Sequence, residues 1–155
     1  MDASLDSTNL VALERSHEDL LIFCLRVEEI ADSLQLGIDK QDCLDVSQNM
    51  LPLLKQTHLI EEQILFPDFD RNAGSRFAGT MIQSLKAEHR CDALACAETM
   101  RTLTDLAEGR NALVADTVRY MLNGFVESVR RHISLEKLMI EALLVARSEG
   151  REILA

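Results

Sequence analysis

Four histidines carry most of the metal and acid–base potential of this chain, and each falls on the apolar stripe of a different stretch of helical periodicity. His17 follows Leu10 and Leu13 and precedes Leu20 and Cys24. His58 stands between Leu54 and Leu65, His89 between Leu85 and Cys96, and His132 between Val129 and Met139. In an antiparallel bundle each of them lies about 17 to 20 residues from one shared end, so at a rise of 1.5 Å per residue the four imidazoles fall within roughly 5 Å of one level. Neutral imidazoles in a dry core would leave ring nitrogens without partners.

Two carboxylates accompany them. His58-Leu-Ile-Glu-Glu62 and His132-Ile-Ser-Leu-Glu136 are both His-x-x-x-Glu, which sets nitrogen and carboxylate one turn apart on one helix face. An unpaired carboxylate on an inward stripe costs several kcal/mol, so about six inward donors point to a metal site. His17, His58, Glu62, His89, His132 and Glu136 are too many for one tetrahedral zinc. Two metals are expected, each with about two histidines and with the carboxylates spanning both. Nitrogen-rich mixed ligation with open positions suits iron best, and manganese or zinc less well.

The elements that must position these groups are helices. The chain has 155 residues, 47% hydrophobic and 4% aromatic, with two prolines, six glycines and no tryptophan. That is the vocabulary of a few long helices, and the expected fold is an all-α, up-down-up-down antiparallel four-helix bundle forming a single domain over residues 1–155, with the bundle at about 9–147. The first helix starts near Leu10 with Ser7, Thr8 or Asn9 as cap and stops before Gly37. The second starts near Lys40, carries Leu44, Ser47, Leu51, Leu54, His58, Glu62 and Leu65 inward, contains Pro52, and ends where Phe66 meets Pro67. A turn-rich break spans Pro67 to Ser75. The third helix, with Ile82, Leu85, His89, Ala93, Cys96, Met100 and Leu103 inward, ends near Gly109. The fourth runs from a cap at Asn111 to about Arg147, and Gly124 within it, at a cost of about 1 kcal/mol, marks a close helix contact.

These residues give the chain its resemblance to a known family. It resembles the hemerythrin-like proteins, above all the four-histidine, two-glutamate HHE type, over roughly residues 10–147. The most specific segment is the His58-x-x-x-Glu62 helix closing on Leu65-Phe66-Pro67. The resemblance implies a non-heme di-iron centre of two oxo- or hydroxo-bridged iron ions, with His17, His58, His89 and His132 as terminal ligands and Glu62 and Glu136 as bridges. It implies O2 or NO as small ligands and a role in oxidative or nitrosative stress; iron storage or donation for iron–sulfur cluster repair, or O2 and redox sensing, are the alternatives. Oxygen carriers of the family have a second histidine four residues after the first on the third helix, where this chain has Ala93. They also have an aspartate five residues after the fourth-helix histidine, where this chain has Lys137. Those departures place it nearer the branch tied to nitric oxide stress and cluster repair. About nine residues precede the first helix, so a cysteine-bearing N-terminal extension is not expected.

Other constellations are weaker. A ferritin-like site needs two Glu-x-x-His pairs, and only Glu14-Arg-Ser-His17 fits, since Lys86 and Val129 hold the matching places. Glu14 is expected as a solvated helix residue rather than an extra ligand near the metals, and Glu61, Glu88 and Asp92 at most as partners of imidazole N–H groups. Cys24 and Cys96 read as small core residues, and Cys43, near a helix start, as a somewhat more acidic thiol. Tyr120 lies too far along its helix from His132 for contact. With 26 Asp and Glu against 16 Lys and Arg the net charge is -10, which argues against nucleic-acid and anionic-membrane partners. No apolar run approaches the roughly 18 residues of a membrane span. The acidic start Met1-Asp-Ala-Ser-Leu-Asp6 is unlike a leader, and four cysteines without CxxC spacing suggest a reducing cytoplasm.

Overall fold

The computed structural model describes residues 3–155; Met1 and Asp2 of the acidic start lie outside the described residues. Four long helical rods account for almost all of it, with no strand among the described residues. Helix α1 spans Ser7–Ser33. Helix α2, Lys40–Ile60, passes without interruption through a π-helical turn, Glu61–Leu65, into α3, Phe66–Asn72. Helix α4 spans Phe77–Ala107 and α5 spans Ala115–Glu149. In cross-section α1 packs on α2 and α5, and α4 packs on the same two helices, which closes a four-membered ring around one core.

Local chemistry sets the ends. Asp6 caps α1, accepting from the backbone N–H of Thr8 and Asn9 at 2.8 and 2.9 Å, while the Asn9 side chain accepts from the Asp6 N–H. This places the cap one to three residues before the expected ones. Asp39 caps α2 through the Asp42 N–H, so Pro52 lies inside the helix, on its exposed side, rather than at its start. Asn111 does not cap α5; its side chain closes a turn on Leu113, and the helix opens four residues later at Ala115. Gly150 takes φ 65° at the C-terminus of α5, the left-handed conformation that ends a helix. Gly124 is exposed and meets nothing, so the close contact expected there does not exist.

The largest departure is at Pro67. The expected break is helical as far as Asn72. The wide turn before the proline reconciles the two: the Phe66 N–H bonds back five residues to the Glu61 carbonyl, and Pro67, with no N–H to donate, follows directly in the first turn of α3.

The core falls into two apolar clusters. One holds Leu20, Val27, Met50, Leu54, Leu103, Leu122, Val129 and Ile133 among others. The other holds Leu13, Leu65, Phe66, Leu85, Met139 and Leu143 with the residues around them. Every rod crosses from one cluster to the other at its histidine. The far end is tied by Asp68, 2% exposed, which accepts from the Leu5 N–H at 2.7 Å and pairs with Arg147 and Arg71. Arg147 also donates to the Leu5 carbonyl at 2.9 Å, and the Ile153 N–H to the Asn72 carbonyl at 2.9 Å. The start of α1 and the ends of α3 and α5 therefore meet.

All four cysteines are free. Burial pushes the thiols of Cys24 and Cys96 up to about 12 and that of Cys43 up to about 11, so the acidic Cys43 expected from its helix position is not found. No helix among the described residues is long and apolar enough to cross a membrane.

Candidate metal centre

Between the two apolar clusters lies a polar layer made of His17, His58, Glu61, His89, His132 and Glu136, none more than 8% exposed. Each helix turns one histidine inward because that position falls on its apolar face. Ligand atoms gather in two groups, each lying within 4.8 Å: His58, Glu61, His89 and His132 in one, and His17, Glu61 and Glu136 in the other. The division is three imidazoles against one, with Glu61 common to both groups, rather than the even sharing expected from sequence.

The structure brings together five of the six expected residues and replaces the sixth. Glu61, 1% exposed, takes the inward place, while the Glu62 side chain is 36% exposed and lies outside both groups. The reason is the phase of the stripe. The buried residues of α2 are Cys43, Val46, Met50, Leu54, Thr57 and His58, not Leu44, Ser47 and Leu51. At about 100° per residue His58 stands some 40° to one side of Leu54; three residues on, Glu61 returns to about 20° on the other side, whereas Glu62 moves out to about 80°. The π-turn then adds a residue to the next turn, and Leu65 and Phe66 both reach the core. Reading Cys43, Met50 and Thr57 as the heptad seam would have found Glu61. Glu62 instead approaches the outer nitrogen of His89, with Oε1 2.7 Å from Nδ1.

Inside the layer, nitrogens and carboxylates crowd one another. His17 Nε2 is 2.7 Å from Glu61 Oε1 and 3.4 Å from Glu136 Oε2. His89 Nε2 is 3.1 Å from Glu61 Oε2 and 3.2 Å from Glu136 Oε1. His132 Nε2 is 2.9 Å from Glu136 Oε1. The His58 ring stacks on His89 at 3.8 Å between centroids, and Phe66 packs on the His89 ring at 5.3 Å. On the outer side, His132 Nδ1 is 3.3 Å from Glu88 Oε2 and 3.5 Å from Asp92 Oδ2. Glu14 is exposed, as is Tyr120 at 83%.

Charge balance without a metal falls to protons. Burial lowers the proton affinity of His17, but its contacts with Glu136 and Glu61 outweigh that and push it up to about 9. Burial likewise opposes charge on His89, and Glu136, Glu61 and Glu62 push it up to about 10; His132 rises for the same reasons, mainly through Glu136. His58, buried and facing the charge on His89, falls to about 3. Burial lifts Glu61 to about 7, against the pull of His17 and His89, while Glu136 is held well below the usual carboxylate range because His132, His17 and His89 overcome its burial. Even so, His17 Nδ1, Glu61 Oε2 and His132 Nδ1 are buried without an aligned hydrogen bond. Four nitrogens and two carboxylates converging on a layer that protons satisfy only in part fit a metal site.

Two of the spaces that adjoin the layer lie against His58. A cavity of about 10 Å³ lies against His58, His132, Glu61 and Glu136, walled by Leu20, Leu54, Val129 and Ile133. A surface pocket of about 210 Å³ reaches His58 and His89 between Lys55, Leu59, Glu62, Arg90 and Ala93. Ala93 thus borders the pocket that reaches His58 and His89.

Neither the curated proteins nor the solved structures contain a match. The sequence model of the family described as Hemerythrin HHE cation binding domain matches residues 8–144, which takes in all four rods and the whole polar layer. The chain belongs to the hemerythrin HHE cation-binding family.

Proposed function

We propose that this protein is a non-heme di-iron protein that binds or reacts with O2 or NO, in an up-down-up-down bundle whose shared end is the one opposite the Asp68 tie. His58, His89 and His132 with Glu61 would hold one iron, and His17 with Glu61 and Glu136 would hold the other. When bound, iron supplies a reducible centre with positions open to a diatomic ligand. The protein's own groups do the rest. Glu61 and Glu136 balance the cationic charge, Glu62 holds the His89 ring from outside, and the aliphatic walls exclude bulk water. The observation that carries the reading is the convergence of four imidazoles and two carboxylates in two buried donor groups, and the cavity of about 10 Å³ between them leaves room for about one water-sized atom or molecule.

Stopped-flow mixing of the reduced, iron-loaded protein with O2 and with NO tests this. A stable spectral adduct supports binding, and turnover to N2O or fast irreversible oxidation supports chemistry; no spectral change with either gas would refute the reading. A second reading, iron storage or donation to damaged clusters, is favoured by the pocket of about 210 Å³ beside His58 and His89, whose half-exposed Glu62 carboxylate offers an ion a way in and out. A reducing compartment such as the cytoplasm suits the four free thiols.

A further inference from the structure

The polar layer leaves one outer nitrogen with an acceptor close by but no formed bond. His132 Nδ1 is buried without an aligned hydrogen bond, and two carboxylates of α4 stand near it. They differ in setting. The Glu88 side chain is 55% exposed, so water competes for it and its longer chain is free to swing. Asp92 is 7% exposed, and its Oδ1 accepts from the Ser128 hydroxyl at 3.0 Å, which fixes the carboxylate and leaves Oδ2 toward the imidazole at 3.5 Å. Ser128 lies one turn before His132 on α5, so the three groups bridge the seam between α4 and α5.

We propose that Asp92, held by Ser128, is the positioning residue of His132: it accepts the Nδ1 proton and thereby fixes the tautomer whose Nε2 faces the centre. The inference rests on the metal reading above. An imidazole that ligates through Nε2 carries its proton on Nδ1, and inside a protein that proton needs an acceptor. The arrangement is already complete at the neighbouring ligand, where His89 Nδ1 lies 2.7 Å from Glu62. At His132 the corresponding separation is 3.5 Å, so a shift of about 0.8 Å closes the same contact. A surface pocket of about 400 Å³ lined by Glu88, Asp92, Ser128, Arg131 and His132 gives water a rival claim on Nδ1, and that rival makes the proposal testable.

The test uses the full chain loaded with Zn(II) and labelled with 15N-histidine, in wild type, Asp92→Asn, Ser128→Ala and Glu88→Gln. His132 is assigned by the signal missing from His132→Gln. In wild type the His132 signals are expected to show a proton on Nδ1, slowed in exchange with solvent. Asp92→Asn shifts that proton signal upfield and speeds metal loss to a chelator about 10- to 100-fold. Ser128→Ala shows a smaller change of the same sign, and Glu88→Gln leaves both readouts unchanged. Melting of the metal-free proteins separates a folding defect from this effect. Wild-type exchange and chelator rates in a folded Asp92→Asn protein overturn the proposal and assign the proton to water, and a Glu88→Gln protein that alone reproduces the loss assigns it to Glu88. A wild-type chain that takes up no Zn(II) overturns the metal reading instead.

Discussion

The bundle buries carboxylates in two places, and it treats them differently. Asp68, at the tied end, faces two guanidinium groups and a backbone N–H, all of which keep their protons at any physiological pH. Glu61 and Glu136, in the middle, face each other and imidazoles, whose charge depends on protons that a metal displaces. The first arrangement is complete as folded and joins the start of α1 to the ends of α3 and α5. The second is provisional, with three buried polar atoms lacking an aligned partner. A carboxylate balanced by permanent cations serves the fold, and one balanced by exchangeable cations makes a site.

Removing the metal should separate the two most strongly. Stripping iron with a chelator is expected to lower the melting temperature by about 10 °C or more, because binding free energy is carried by the folded state alone. An unchanged melting curve by circular dichroism would erase the distinction. Asp68→Ala is next. It leaves the Leu5 N–H and the part-exposed Arg147 without their acceptor and should cost about 1 to 3 kcal/mol, equally with and without metal, with iron content per folded chain unchanged. Glu136→Ala should instead abolish iron retention, and its stability loss should depend on whether metal is present.

Dependence on pH sharpens the contrast further. In the metal-free protein the folded His17 and His89 bind protons up to about pH 9 and 10, against about 6.5 when unfolded. Their contribution is fully present below about 6.5 and is lost as pH rises through the folded values. Glu61 acts in the same sense between about 4.5 and 7, and His58, lowered to about 3, in the opposite sense between about 6.5 and 3. Metal-free protein should therefore lose stability from about pH 6.5 to 9, whereas metal-dependent stabilisation should grow over that range as ligands shed protons. Denaturation at pH 6 and pH 9 with and without metal measures both signs. The smallest expected effect is that of Glu62→Ala, which should keep both irons at roughly 10- to 100-fold lower affinity, while Glu61→Ala loses them.

That last pair marks where the sequence stops being legible. Four histidines on four stripes are readable because helical periodicity is local, and depth follows from rise per residue. The choice between Glu61 and Glu62 depends on the phase of α2 and on a π-turn. Leu44, Ser47 and Leu51 trace as plausible a stripe as Cys43, Val46 and Met50, and only contact with the other rods selects between them. Helical structure beyond Pro67 was hidden for a related reason: a proline reads as a stop unless the preceding turn is known to be wide. The Asp68 tie joins residues more than sixty positions apart, which no periodicity encodes. The uneven division of histidines, three against one, likewise emerges only when side chains are placed.

The most direct test is elemental analysis of the full chain after anaerobic reconstitution with ferrous iron and removal of unbound metal. Retention of about two irons per chain is the predicted result. A folded protein that retains none would contradict the di-iron centre.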